Sequence, residues 1–189
     1  MRTAVLGGTF DPVHIGHLLM ADEVLSRCNY ERILFVPNRI PPHKDRIPDA
    51  TPAQRLAMLE LAIRDREEFA VDTYEIERGK VSYTVDTLEH LYASGTVTGR
   101  LGLIIGEDLV DGFDRWRDVD RVTEMADLIL VRRPGNGSVR FRRVHTLIDS
   151  LSVDVSSTEI RDRISSGWPF RYLVHHRVYD YIEKQGLYR

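Results

Sequence analysis

The sequence predicts an α/β fold in which helices cover both faces of a mostly parallel sheet. Short apolar runs alternate with amphipathic helical segments along nearly all of the 189 residues. Such alternation is typical of doubly wound sheets, because the helix that connects two parallel strands packs back onto one face of the sheet. No internal repeat or convincing linker interrupts the pattern, so we expect a single domain over residues 1–189.

The predicted strands are apolar runs that end at glycine, proline or charged residues. The run at 69–76 differs, because it alternates and is rich in β-favouring residues. The segment 135–143 is polar and reads as a loop. We place strands at 3–6, 33–36, 69–76, 101–105, 128–131 and 151–155.

The predicted helices are marked by capping residues at their starts. Thr51-Pro52-Ala53-Gln54 combines an N-cap threonine, a proline in the first turn and a glutamine that completes a capping box. Ser82 or Thr84 is expected to cap the next helix, which ends near Gly95. A second capping box at 156–159 opens a helix that runs to about Gly167, and the last helix spans roughly 175–185.

Glycine-rich or polar segments follow three of the predicted strands, at 7–8, 106–108 and 156–158. In open parallel sheets, ligands bind outside the carboxyl ends of the strands, near the point where the strand order reverses. We therefore expect these three segments to converge on one crevice.

The composition, 42% hydrophobic and 29% charged, is that of a soluble globular protein. A formal net charge of −3 disfavours binding of an extended nucleic acid polymer. The single cysteine, Cys28, excludes an internal disulfide and fits a reducing compartment. The first residues lack a signal-peptide pattern, and no apolar run approaches the ~20 residues that span a bilayer. We expect a cytoplasmic enzyme without a membrane partner.

His14 and His17 flank Gly16 at the start of the first helix, just after the Gly7-Gly8 turn. Glycine lets backbone N–H groups approach a phosphate closely, and a helix N-terminus adds partial positive charge. Two imidazoles at this position are suited to donate hydrogen bonds to phosphate oxygens. The alternatives are simple capping of the helix and a zinc site, which would usually need further Cys, His or acidic ligands at recognisable spacing.

The segment 156–161 offers a second place for phosphate. Ser156, Ser157 and Thr158 stand at a helix N-terminus, and Arg161 follows one turn later. This arrangement suits a triphosphate, whereas an ordinary capping box with a solvated arginine is the alternative.

Together these segments resemble the HIGH-motif nucleotidyltransferases and the class I aminoacyl-tRNA synthetases. Residues 14–17 read HIGH, and 156–161 resemble the ISSTxIR motif, with Val155 in place of the usual Ile. A synthetase needs a lysine-rich loop and a tRNA-binding region. This chain is short and has three scattered lysines, at positions 44, 80 and 184, which argues against that class. The resemblance implies a Rossmann-like nucleotidyltransferase fold.

The whole run at 7–18 resembles that of the bacterial nicotinate-mononucleotide adenylyltransferases, whereas phosphopantetheine adenylyltransferases tend to have threonine at the position of His14. Further segments resemble the same family along nearly the whole chain: PPHK at 41–44, SYTVDTL at 82–88, IIGED at 104–108 with Trp116, RRPG at 132–135 and the terminal YI…GLY at 181–188.

The resemblance implies that ATP and nicotinate mononucleotide form nicotinate adenine dinucleotide and pyrophosphate, with Mg²⁺ bound through ATP phosphates and water. The acceptor phosphate attacks the α-phosphorus in line, and catalysis consists of positioning and charge stabilisation. The positive field is expected to come from His14, His17, Lys44 and Arg161.

The ATP contacts implied by the resemblance are spread over three segments: Gly7, Gly8, Thr9, Phe10, His14 and His17; Gly106 and Asp108; and Ser156, Ser157, Thr158 and Arg161. The acceptor contacts are Lys44, Tyr83, Thr84, Trp116, Arg117 and Arg133. No metal ligand is assigned to the protein, since a turn beside Pro12 explains Asp11 equally well.

Arg117 stands where some family members have a tyrosine after the stacking tryptophan, and it either supplies a charge for the nicotinate carboxylate or points to solvent. The alternatives are an acceptor such as nicotinamide mononucleotide or phosphopantetheine, and a nucleotide-sensing module without turnover. Formation of a homo-oligomer is left open.

Overall fold

A computed structural model describes residues 1–40, 48–132, 141–151 and 153–189. Its centre is a sheet whose strand pairs are all parallel, in the order β3-β2-β1-β4-β5-β6. The strands are β1 (Thr3–Gly8), β2 (Arg32–Pro37), β3 (Phe69–Val71), β4 (Leu101–Gly106), β5 (Ala126–Arg132) and β6 (His145–Asp149).

Helices cover both faces of this sheet, as the sequence predicts. They are α1 (Ile15–Cys28), α2 (Pro52–Ile63), α3 (Tyr74–Glu77), α4 (Thr84–Ala93), α5 (Val110–Phe113), α6 (Val119–Met125), α7 (Ser157–Ser165) and α8 (His176–Gln185), with 3₁₀ turns at Glu107–Leu109 and Arg171–Leu173. Within the described ranges, no helix is both long and apolar enough to cross a lipid bilayer.

Alternate residues of the strands fill two separate cores. In β1, Ala4 and Leu6 pack beneath α1, α2, α7 and α8, whereas Val5 faces the core that contains α4 and α6. Because successive side chains of a strand point to opposite faces, a strand buried on both sides must be apolar throughout. Burial of each large apolar side chain contributes about 1.5–3 kcal/mol.

The strand order reverses beside β1, which pairs with β2 on one side and with β4 on the other. In open parallel sheets the ligand crevice lies at such a reversal, which in this sheet is outside the carboxyl ends of β1 and β4. Gly8 and Gly106 are the last residues of these strands.

One predicted strand is too long and another is wrong. The first, 69–76, ends at Val71, because the Asp72 carboxylate accepts a hydrogen bond from the Tyr74 N–H (3.0 Å) and turns the chain into α3. The second, 151–155, is not a strand in its described residues. The edge strand is instead β6, whose register on β5 runs from His145 to Asp149.

The predicted helix starts are confirmed at two places and corrected at a third. Thr51 and Gln54 form the predicted capping box, and the Ser156 hydroxyl accepts from the Glu159 N–H (3.1 Å). In α4, however, neither Ser82 nor Thr84 is the cap. Tyr83 occupies the N-cap position, and its N–H donates to the Asp86 carboxylate (3.3 Å).

A buried carboxyl joins α3 to α4. Glu75 is 8% exposed, and the Thr87 hydroxyl donates to its Oε1 over 2.5 Å. Burial raises the pKa of Glu75 to about 7, against the opposing effect of the Thr87 hydrogen bond. The carboxyl is therefore ionised at a lower pH in the unfolded chain than in the folded one.

We expect the folded-state pKa of Glu75 to make stability depend on pH. Its contribution is complete below the unfolded pKa near 4.5 and is lost as the pH rises through about 7. Since Glu75→Gln cannot ionise, its free energy of unfolding relative to wild type should rise by up to about 3 kcal/mol between pH 5 and pH 8. Urea unfolding at both pH values measures this difference. Glu77→Gln, at an exposed position of α3, is the control, and a pH-independent difference for Glu75→Gln would contradict the assignment.

Candidate active site

The turn after β1 is built on a close contact between Gly8 and Phe10. A Cβ atom at Gly8 would lie 2.9 Å from the Phe10 ring, whereas a Cβ at Gly7 would have no protein atom within 4 Å. Phe10 is 1% exposed and has a left-handed backbone (φ 50°), which is unusual for an aromatic residue. Packing therefore requires glycine at position 8 but not at position 7.

The two histidines lie against each other at the N-terminus of α1, with their ring planes tilted by 31°. Their ring centroids are 3.7 Å apart, and His14, the N-cap residue, is 8% exposed. The backbone N–H of His14 donates to Nδ1 of His17 over 3.2 Å. Because Nδ1 accepts this bond, the neutral His17 ring carries its proton on Nε2.

Gly16 provides space for the His14 ring. A Cβ atom at this position would lie 3.0 Å from His14 Nδ1 and 3.1 Å from the Val155 side chain. The glycine between the histidines thus lets one imidazole fold back over α1 and lets the segment before α7 approach the helix.

The structure brings the two sequence motifs together, although they are far apart in the chain. The Ser157 hydroxyl donates to the Pro12 carbonyl (3.0 Å), and Arg161 Nη1 donates to the Asp11 carbonyl (2.7 Å). The N-termini of α1 and α7 therefore meet at the carboxyl end of β1. Their partial positive charges combine in one place, which suits an anion with several phosphate groups.

Arg161 is not a solvated side chain. It is 12% exposed, and its Nε lies 2.9 Å from the Asp49 carboxylate. Its Nη2 also donates to the Thr158 hydroxyl over 3.1 Å. The guanidinium thus has a defined position beside the histidine turn, and its contact with ATP phosphates stays a prediction.

Asp11 joins three segments of the chain, whereas the sequence indicated only a turn beside Pro12. Its carboxylate accepts from the N–H groups of Asp49 (2.9 Å) and Ala50 (3.1 Å) and from the Tyr188 hydroxyl (2.9 Å). Burial and the nearby carboxylate raise the pKa of Tyr188 above its usual value, so the phenol stays protonated and donates. A single sequence does not show that Asp11 is buried or that Tyr188, near the C-terminus, bonds to it.

At the end of β4, Gly106 makes room for Asp108. A Cβ atom at Gly106 would lie 2.6 Å from the Asp108 carboxylate, which belongs to the 3₁₀ turn Glu107–Leu109. Asp108 is exposed at the crevice edge of the sheet. A carboxylate here is suited to accept hydrogen bonds from ribose hydroxyls, as the sequence predicts.

The predicted acceptor residues also lie close together. The Arg117 guanidinium lies over the Tyr83 ring, 4.9 Å from its centroid. Trp116 packs against Phe113, with ring centroids 4.8 Å apart, and remains partly exposed. Thr84 begins α4, whose first N–H groups have no acceptor within the helix. Lys44 and Arg133, the other predicted acceptor contacts, lie outside the described residues.

In this parallel sheet the strand order reverses, a histidine pair stands at one helix N-terminus, and a second helix N-terminus is hydrogen-bonded beside it. Together these features define the class of HIGH-motif nucleotidyltransferases. Comparisons with known proteins agree with this class. The profile of the family described as cytidylyltransferase-like matches residues 5–163.

The relatives narrow the class. A probable nicotinate-nucleotide adenylyltransferase of Borrelia hermsii is 38% identical over 100% of this chain and 98% of its own length, and that of Roseiflexus castenholzii is 41% identical with the same coverage. The chain belongs to the nicotinate-nucleotide adenylyltransferase family. The Plasmodium falciparum nicotinic acid mononucleotide adenylyltransferase complexed with NaAD shares the fold, with a TM-score of 0.79, 19% identity and coverage of 99% of this chain and 97% of that one.

We expect Gly16→Ala to impair catalysis much more than stability. The added methyl group would crowd the His14 ring, which would have to shift by a few tenths of an ångström. Alanine has a higher helix propensity than glycine, by about 1 kcal/mol in a helix interior and less in this first turn, and so offsets part of the crowding. Adenylyltransferase turnover should fall at least about tenfold with a small change in melting temperature, since misplaced catalytic donors are costly.

Gly112→Ala is the matched control, because its Cβ would make only an ordinary contact, 3.7 Å from Arg115. Kinetics and thermal unfolding of both variants test this. Full activity of folded Gly16→Ala would contradict the role of the His14 ring.

Proposed function

We propose that this chain transfers the adenylyl group of ATP to nicotinate mononucleotide, forming nicotinate adenine dinucleotide and pyrophosphate. The observation that carries the proposal is the tie between the motifs: Ser157 and Arg161 hold the start of α7 against Pro12 and Asp11, beside the histidine pair. This arrangement occurs in a chain that is 38–41% identical to nicotinate-nucleotide adenylyltransferases over its full length.

The reaction needs no protein nucleophile. The phosphate of the mononucleotide is ionised at neutral pH and attacks the α-phosphorus of ATP, and pyrophosphate leaves on the opposite side. His17 donates from Nε2 to phosphate oxygens on which negative charge develops, and His14 lies against its ring. Their effect is greatest in the transition state, because preorganised donors need no reorientation as the charge shifts.

ATP lies along the crevice at the end of β1. Gly7 and the backbone of Thr9 and Phe10 approach the nucleotide closely, since a side chain at position 7 would project where no protein atom lies. The triphosphate reaches the start of α7, where Ser156 to Thr158 and Arg161 supply hydroxyl, N–H and guanidinium donors. Gly106 and Asp108 contact the ribose.

The acceptor ring stacks on Trp116, and its carboxylate meets the N–H groups at the start of α4 near Thr84. Arg117 adds a positive charge at this end of the crevice, held by the Tyr83 ring beneath it. A carboxylate gains from both contacts, whereas a carboxamide presents its own donor to other donors. Lys44 and Arg133 complete the set as cations for the acceptor.

When ATP binds, its phosphate oxygens and water would hold Mg²⁺, which suits an ion that loses its hydration shell reluctantly. Asp11, the buried carboxylate nearest the histidine turn, already accepts from two backbone N–H groups and a phenol. It therefore fits a structural role better than that of a metal ligand. The ion supplies charge neutralisation on the leaving pyrophosphate.

We place the reaction in the cytoplasm. Cys28 is the single cysteine of the chain and is a free thiol in the structure. A chain that uses no disulfide is compatible with a reducing compartment.

An acceptor assay tests the proposed reaction directly. Purified protein with ATP and Mg²⁺ should release pyrophosphate with nicotinate mononucleotide, and chelation of Mg²⁺ should abolish the release until the ion is restored. Nicotinamide mononucleotide and phosphopantetheine serve as competing acceptors. No release with nicotinate mononucleotide would refute the proposal, and faster release with either competitor would reassign the substrate.

Acid selectivity should depend on Arg117. In Arg117→Ala, the ratio of kcat/KM for the acid to that for the amide should fall roughly tenfold, as expected for loss of one partly exposed charge-assisted hydrogen bond. Arg121→Ala, at an exposed arginine of α6, is the control and should leave the ratio unchanged. An unaltered ratio in Arg117→Ala would assign the selectivity to the N–H groups of α4 alone.

A further inference from the structure

Arg55 is a buried cation with no counterpart among the predicted site residues. It lies in α2, and its side chain is 0% exposed. A buried charge costs several kcal/mol unless polar partners compensate it. An aliphatic side chain would fill the same space without that cost, so packing alone does not account for a guanidinium here.

The guanidinium joins the carboxyl ends of two neighbouring strands. Nη1 donates to the Thr9 carbonyl over 2.6 Å, and Nη2 donates to the Arg39 carbonyl over 3.2 Å. Thr9 is the first residue after β1, and Arg39 stands two residues after the end of β2. One planar group therefore holds both segments at the crevice.

The charge of Arg55 is balanced within the same cluster. Burial lowers the pKa of its guanidinium, and the neighbouring Asp11 carboxylate and Tyr188 phenol act in the opposite direction. An arginine remains protonated at neutral pH even so. Arg55, Asp11 and Tyr188 thus form one buried polar group behind the histidine turn.

The bond to Thr9 also sets the direction of the next N–H group. In a trans peptide the carbonyl and the N–H point in opposite directions, so the Phe10 N–H points away from Arg55. Phe10 then adopts its left-handed backbone, and its ring lies 5.0 Å from the His17 ring in an edge contact. The orientation of a single peptide plane therefore links Arg55 to the histidine pair.

We propose that Arg55 is a positioning residue for adenylyl transfer: by holding the Thr9 carbonyl, it aims the Phe10 N–H at the nucleotide and keeps the Phe10 ring against His17. This inference rests on the proposed function. Arg55 does not contact substrate in this role and acts through the turn that does.

Three variants test the role. Arg55→Lys keeps the charge but not the planar pair of donors, Arg55→Met keeps the length without charge, and Arg64→Met changes an exposed arginine just after the same helix. At a temperature where each is folded, kcat should fall at least tenfold in Arg55→Met and less in Arg55→Lys. KM for ATP should rise in both variants, while KM for the acceptor and all constants of Arg64→Met should stay within twofold of wild type.

The inference would be overturned if folded Arg55→Met kept kcat and KM for ATP within twofold of wild type. It would also be overturned if the loss of activity in Arg55→Met equalled the fraction of the variant that is unfolded. If neither Arg55 variant folds, the wild-type chain gives the answer. Its Phe10 amide signal in nuclear magnetic resonance should shift when a non-hydrolysable ATP analogue binds, and an unchanged signal would overturn the inference. An inactive wild-type chain that still binds the analogue would instead refute the proposed function.

Discussion

The bond from Arg161 to the Asp11 carbonyl connects two parts of the site that lie far apart in the chain. These residues are separated by 150 positions, and the same guanidinium pairs with Asp49. Hydrogen bonds that involve a charged group contribute about 1.5–3 kcal/mol each, and a buried partner left unpaired costs a similar amount. The turn after β1, the segment before α2 and the start of α7 are therefore held as one unit, and loss of any member would loosen the others.

This unit explains why the histidine turn tolerates an unfavourable backbone. Phe10 occupies the left-handed region that bulky residues avoid. Its ring packs closely against Gly8 and makes an edge contact with the His17 ring. Such a conformation persists only where the surroundings fix it from several sides. Arg55 donates a hydrogen bond to the Thr9 carbonyl, just before Phe10. Asp11, just after Phe10, is held by the bonds that its carboxylate accepts.

Sequence patterns predicted the fold class, the order of most elements and the two motifs that meet. Those features depend on local rules, such as apolar periodicity, capping residues and glycine turns. The patterns did not predict that the third strand ends at Val71 or that β6 precedes residue 151. An aspartate that accepts a hydrogen bond from a backbone N–H two residues later and a half-exposed edge strand both have weak signatures in a sequence. Asp11, Arg55 and Tyr188 were missed for another reason: their partners come from distant parts of the chain, and one sequence does not show which charges are buried together.

In the described part of the site, nearby carboxylates offset the charges of two arginines, and this affects how the site can stabilise a transition state. Arg161 is paired with Asp49, and Arg55 is compensated by Asp11, so neither guanidinium adds a full uncompensated charge to the crevice. Beside them stand oriented dipoles: the His17 imidazole, the N–H groups of two helix starts and the hydroxyls near Ser156. Dipoles fixed by a buried network need little reorganisation as charge moves from the attacking to the leaving phosphate. The contacts of Arg161 and Arg55 therefore hold neutral donors in place at the carboxyl end of β1.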